Sequence, residues 1–333
     1  MGKTFKILSI DGGGIKGLYS AQVLAKMEEH FKCNLSDKFD LVCGTSTGAI
    51  LALAVALRIP MSEAVNFYEQ HGPTIFNEEY KNKHSWRKWI LFAKQVIFST
   101  KYDVLPLENA LNSVFEEKTM KDCQNMVCIP ALNINDASCC IFKRDYGGNC
   151  RDNDKRCVDV ALASAAAPTY FPVKEIDDHQ YADGGLYANN PSLVGLLEFM
   201  YKVLPNFPEL GFDSVDILSI SSCEKPSGQK HGKANMSFLN WKSTLFDAYS
   251  QGQARQESFF LQQLIPYLKF KLDYMRVENE IPSPDVLELI DLDNASPEAL
   301  KELKAIGKRT GDNYCAKPEV QKFFKTNKTI SLD

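Results

Sequence analysis

The chain has 333 residues, room for one large domain or two of ordinary size. Hydrophobic residues make up 44% and charged residues 24%, as in a globular protein with a substantial core, and a net charge of −4 gives no global attraction to nucleic-acid polymers. No run spans a bilayer: the most apolar, Ala49 to Leu57, stops at Arg58.

Ten cysteines are scattered without paired CxxC motifs at metal-ligand spacing, so no zinc site is expected; no cofactor is expected either. The short apolar run before the first glycines does not fit a signal peptide. Many thiols without an export signal point to a reducing cytoplasm, and any membrane contact is expected to be peripheral.

The first half of the chain alternates strand-like and helix-like segments. Lys6 to Ile10 reads as a buried strand, and 18–31 as an amphipathic helix. A strand at 39–44 leads through a tight turn into an apolar helix over about 47–57, and a helix from Met61 has Ser62 as its expected cap. Strands follow at 127–134, 139–144, 179–183 and 215–221, with helices at 157–166 and 191–202. This alternation predicts an α/β fold with a mostly parallel central sheet sandwiched by helices.

The segment 81–101 places Trp86, Trp89, Ile90, Ala93 and Ile97 at helical spacing among Lys81, Lys83, Arg87, Lys88, Lys94 and Lys101. Such a helix suits either an anionic membrane surface or ordinary packing on a core. Beyond about residue 235 come one or two helices, an edge strand or hairpin near "YLKFKLDYMRVE", and a helix opened by Ser296-Pro297. Without a linker in sight, 226–333 is expected to elaborate the domain whose core is 5–225.

Three short motifs carry the chemistry. "DGGGIKG" (11–17) sits between a strand and a helix N-terminus, where exposed N–H groups and the helix dipole favour negative charge. Gly12 to Gly17 satisfy G-x-G-x-x-G, which leaves a nucleotide-binding regulatory protein as one reading. A dinucleotide site, however, needs an acid at the end of the second strand, and Asp40 stands at its start. The second motif, "GTSTG" (44–48), places Ser46 between a strand and an apolar helix, the setting of a nucleophile elbow. Gly44 and Gly48 let strand and helix approach each other.

A serine nucleophile needs a base. Among five histidines only His231 follows an acid in suitable order, and it lies in a polar loop. The third motif, "DGG" (183–185) within "YADGGLYANNPS", offers Asp183 at a strand end instead, though a D-G pair is also an ordinary turn.

In order and spacing these three motifs, with "ASAAAPTYFP" (163–172), resemble the patatin-like phospholipase family over roughly residues 5–225. The segment "SISSCEK" departs from a glycine-rich stretch common there. The resemblance implies the three-layer patatin fold and a lipid acyl hydrolase of phospholipase A type. It implies Ser46 as nucleophile, Asp183 as base, and an oxyanion hole from Gly12, Gly13 and Gly14. Lys16, Gly44, Gly48 and Gly184 would support them, Lys16 by anchoring the loop or a lipid phosphate. Acyl transfer from the same acyl-enzyme to an alcohol is the alternative. The bare domain also resembles short bacterial patatins that guard against phage, activated by a cyclic dinucleotide such as cyclic GMP-AMP, which implies an effector and a membrane as partners.

Overall fold

The computed structural model describes residues 3–76, 100–146, 151–225 and 238–332. The basic aromatic segment 81–99 and His231 lie outside the described residues.

One eight-stranded mixed sheet organises the chain, in the order β5-β6-β3-β2-β1-β7-β8 with β4 also paired to β3. The strands are β1 (Lys3–Ile10), β2 (Leu41–Gly44), β3 (Met126–Asn133), β4 (Ser138–Lys143), β5 (Lys174–Ile176), β6 (His179–Asp183), β7 (Phe212–Ile220) and β8 (Lys271–Val277). Pairing is parallel from β3 through β2, β1 and β7 to β8, and antiparallel where β4, β5 and β6 join.

Helices cover both faces, and the strand sequences show why. Alternate residues of a strand point to opposite sides. Leu8 and Ile10 of β1 belong to one apolar core, whereas Phe5 and Ile7 belong to the other. The larger core lies under α1 (Gly17–Phe31), α2 (Thr47–Ala56), α3 (Met61–Ile75), α4 (Leu105–Phe115) and α5 (Cys157–Ser164). The smaller core lies under α6 (Ser192–Glu198) and α7 (Phe238–Leu264). Every residue of α2 is buried, which explains a helix without a polar face.

The pairing of β3 decides where the chemistry sits. Cys128 pairs with Cys43 of β2 and also with Lys143 of β4, so these two strands occupy opposite edges. Ala131 pairs with Asp183 of β6 and with Cys140 of β4. Hence β2 and β6 share one edge of β3, arriving from opposite directions. The carboxyl end of β2 and the carboxyl end of β6 therefore point at each other.

One local expectation needs revision and two gain detail. Helix α3 begins at Met61 with Pro60 in the cap position, so Ser62 sits inside the first turn and caps nothing. Of the one or two helices expected after 235, the described residues form one, α7. The helix expected over 191–202 is α6, and it continues as a π turn over Phe199–Val203. Strand β8 joins the sheet parallel to β7, as an edge strand. After it come α8 (Pro284–Leu289), α9 (Pro297–Cys315), capped by Ser296, and α10 (Pro318–Phe324).

Candidate active site

Ser46 occupies the turn between β2 and α2 with φ 56° and ψ −122°, a conformation unfavourable for an L-residue. Close backbone contacts hold it there. A Cβ on Gly44 would lie 2.1 Å from Gly48 O, and one on Gly48 would lie 2.2 Å from Ile10 O. Only glycine admits the crossing of β2, α2 and β1 at that distance. The Ser46 N–H donates to Ser164 Oγ at 2.9 Å, and Ser164 donates in turn to Pro130 O at 2.6 Å. The side chain is thereby set at the N-terminus of α2, where the helix dipole favours negative charge.

Asp183 ends β6 and is fully buried. Its Oδ1 accepts from Gly185 N–H at 2.7 Å, while Oδ2 has no hydrogen-bond partner among the described residues. Burial pushes the carboxyl up to about 7, and the neighbouring Ser46 hydroxyl and the Gly185 N–H oppose that rise only partly. Ser46 thus stands beside the carboxylate, and its hydroxyl is the first of the two groups that favour the charged form. No cation is paired with Asp183 among the described residues. Gly184 permits this placement, since a Cβ there would fall 2.3 Å from Pro130 O.

The glycine loop completes the site. Gly12 N–H donates to Asn189 O at 3.0 Å, so it turns away from a ligand, contrary to its expected place among three anion donors. The N–H groups of Gly13 and Gly14 have no acceptor among the described residues. Gly14 has φ +59°, and a Cβ on it would meet Leu292 O at 2.2 Å. Just behind the loop, Ile15 N–H donates to Leu292 O at 2.9 Å.

Two ion pairs brace the loop from the C-terminal part of the chain. Arg276 of β8 grips Asp11 through both nitrogens, at 2.6 and 3.2 Å, and also contacts Ser219 and Glu224. Burial pushes Asp11 up to about 6, with Arg276 holding it down from a higher value. Lys16 is buried and reaches Asp247 of α7 at 3.3 Å, so its role as an anchor comes from a charge the sequence pattern does not mark.

Gly13, Gly14, Ser46 and Asp183 border one pocket. Its far walls are apolar and aromatic, with Ile50, Phe67, Phe76, Leu107, Phe171 and Phe246. Such a chamber suits an acyl chain. No histidine lines it among the described residues.

A family model described as patatin-like phospholipase matches residues 8–194. The chain belongs to the patatin-like phospholipase family. It is 31% identical over 322 residues to a protein of Pseudomonas aeruginosa named cGAMP-activated phospholipase, covering 96% of this chain and 92% of the relative. A Vibrio cholerae protein of the same name is 31% identical over 342 residues, covering 96% and 94%. Patatin-like protein 2 of Arabidopsis thaliana is 26% identical over 357 residues, covering 95% and 84%. This patatin-like phospholipase is therefore a lipid ester hydrolase.

The sequence motifs of this patatin-like phospholipase converge in space, but several partners carry no motif. Asn189 takes the Gly12 N–H and stands against Gly185, where a Cβ would lie 3.1 Å from its Oδ1. Ser164 and Asn189 lie inside "ASAAAPTYFP" and "YADGGLYANNPS", so proximity to a motif signalled them. Arg276, Asp247 and Leu292 had no such signal. Asp40, weighed as a ribose ligand, is committed elsewhere: it accepts N–H bonds from Lys6, Thr329 and Ile330, at 2.9, 2.5 and 2.9 Å.

Proposed function

We propose that this enzyme hydrolyses phospholipid acyl esters through Ser46 and Asp183, with Gly13 and Gly14 as the oxyanion donors. The observation that carries the reading is the unpartnered, buried Oδ2 of Asp183 beside a serine held at φ 56°. Ser46 Oγ attacks the ester carbonyl carbon while Asp183 accepts the hydroxyl proton. A carboxyl pushed up to about 7 by burial is a far better base than one of ordinary pKa near 4. The tetrahedral oxyanion forms against the Gly13 and Gly14 N–H groups, a contact worth roughly 3–4 kcal/mol per donor in other hydrolases. Collapse expels the lysolipid alcohol, which takes the proton from Asp183. Water, deprotonated by the same carboxylate, then releases the fatty acid.

Labelling of Ser46 by a fluorophosphonate, lost in Ser46→Ala, tests the assignment. Continued phospholipid hydrolysis by Ser46→Ala overturns it.

Domain organisation, activation and membrane contact belong to the same reading. Residues 5–225 are the catalytic core and 226–333 an elaboration of that domain, supported by the pairing of β8 with β7. A cyclic dinucleotide acts as activator, a reading supported by the names of the Pseudomonas and Vibrio relatives and suited to phage defence. Phospholipid hydrolysis with and without cyclic GMP-AMP decides it. Peripheral contact with the membrane is supported by the solvent face of α7, the helix that walls the pocket. It exposes Leu245, Tyr249, Phe259 and Phe260.

A further inference from the structure

The pocket beside Ser46 has a second, polar corner that acyl hydrolysis itself leaves unused. Asp247, Ser250 and Gln251 lie on one face of α7 at helical spacing and line the same pocket. Ser250 and Gln251 are only 5% and 4% exposed, yet Ser250 Oγ and Gln251 Oε1 have no hydrogen-bond partner among the described residues. Buried polar atoms are paired in most native structures, so two adjacent exceptions facing one cavity call for a ligand group.

The geometry also states which group. Asp247 Oδ1 is held by Lys16 at 3.3 Å, and Oδ2 accepts from Gln251 Nε2 at 2.8 Å. Burial raises the Asp247 carboxyl, but Lys16, the Gln251 amide and Lys225 outweigh it and hold it below the usual carboxylate range. A carboxylate there fixes the orientation of the Gln251 amide, because only the NH₂ end can face it. Oε1 is then left pointing away from Asp247 as a pure acceptor, and Ser250 Oγ both donates and accepts. A phosphodiester or a quaternary ammonium has no proton for Oε1. A primary ammonium would be buried beside an acid already neutralised by Lys16. An alcohol hydroxyl satisfies both atoms without adding charge.

We propose that Ser250 and Gln251 form a hydroxyl-recognising subsite that receives an alcohol group of the lipid, either on a head-group glycerol or on the glycerol backbone of a lysophospholipid. The proposal rests on the reading that Ser46 attacks the ester in this pocket.

Two matched pairs of substrates separate the sources, with cyclic GMP-AMP present throughout. Phosphatidylglycerol against phosphatidylpropanol, with the same acyl chains and charge, reports the head-group hydroxyls. Lysophosphatidylpropanol against its 2-deoxy analogue reports the backbone hydroxyl. One buried hydrogen bond corresponds to roughly a fivefold to tenfold preference in kcat/KM. Wild-type enzyme is expected to show that preference in at least one pair. Gln251→Met should bring the ratio near unity, and Ser250→Ala should reduce it in part. Because each preference is a ratio within a single enzyme, a smaller folded fraction cancels. A wild-type ratio of one in both pairs, or an unchanged ratio in Gln251→Met, overturns the subsite. Failure of the underlying reading looks different: Ser46→Ala would hydrolyse these lipids.

Discussion

The serine turn and the glycine loop both join a strand to a helix at the carboxyl ends of neighbouring parallel strands, yet they are held by different means. The turn at Ser46 is fixed locally, by backbone contacts of Gly44 and Gly48 within a few residues and with β1. The loop at Gly12–Gly14 is fixed from afar, by Arg276 on Asp11, Asp247 on Lys16 and the Leu292 carbonyl on Ile15. Local steric fixing stores strain in one residue and needs only small side chains. Distant fixing makes the loop depend on α7, β8 and the turn between α8 and α9 that carries Leu292. The glycine loop, proposed as the oxyanion hole, is thereby tied to the C-terminal part of the chain, whereas the turn at Ser46 is held from β1 and by Ser164.

Four perturbations break or sharpen that contrast. The largest effect falls on the reacting pair: Ser46→Ala and Asp183→Asn should each lower phospholipid turnover at least about 10³-fold with the fold retained by circular dichroism. Next is Arg276→Met, which strands Asp11 as a buried, unpaired acid and should cost about 3–5 kcal/mol in chemical denaturation. Arg276→Lys should recover part of the stability, but it loses the two-nitrogen grip. If Arg276→Met were as stable as wild type, the glycine loop would not depend on that pair. Gly48→Ala drives a methyl into Ile10 O and should cost about 1–3 kcal/mol and slow fluorophosphonate labelling.

The mildest test is pH. With Asp183 near 7, kcat/KM should rise about tenfold per unit below that value and level off above it. A raised folded-state pKa means that protonated Asp183 favours the fold. That contribution is complete below about pH 4 and is lost as pH rises through about 7. Asp183→Asn should therefore melt above wild type beyond pH 7 and converge with it below pH 4. Parallel melting curves across that range would remove the buried carboxylate from the account.

Much of the architecture was readable because it rests on local periodicity. The buried run of β1, the apolar run of α2 and the alternation of strands with helices pointed to a sheet covered on both faces. The turn at 44–48 declared itself because only a small residue fits two positions on either side of Ser46. Ser62 misled, since Pro60 already holds the cap position of α3 and a serine one position inside the helix start has no cap to make. Gly12 misled for a longer-range reason: its N–H is taken by Asn189, which lies 177 residues away.

By itself the sequence determined the strand–turn–helix units, the residues at their carboxyl ends and the family to which they belong, because each depends on side chains close together along the chain. Only the tertiary structure decided that β2 and β6 meet on one edge of β3, that Asp183 loses water and rises to about 7, and that Arg276, Asp247 and Gln251 reach the glycine loop and its pocket. Those outcomes depend on desolvation and on contacts across two hundred residues, which no local pattern records.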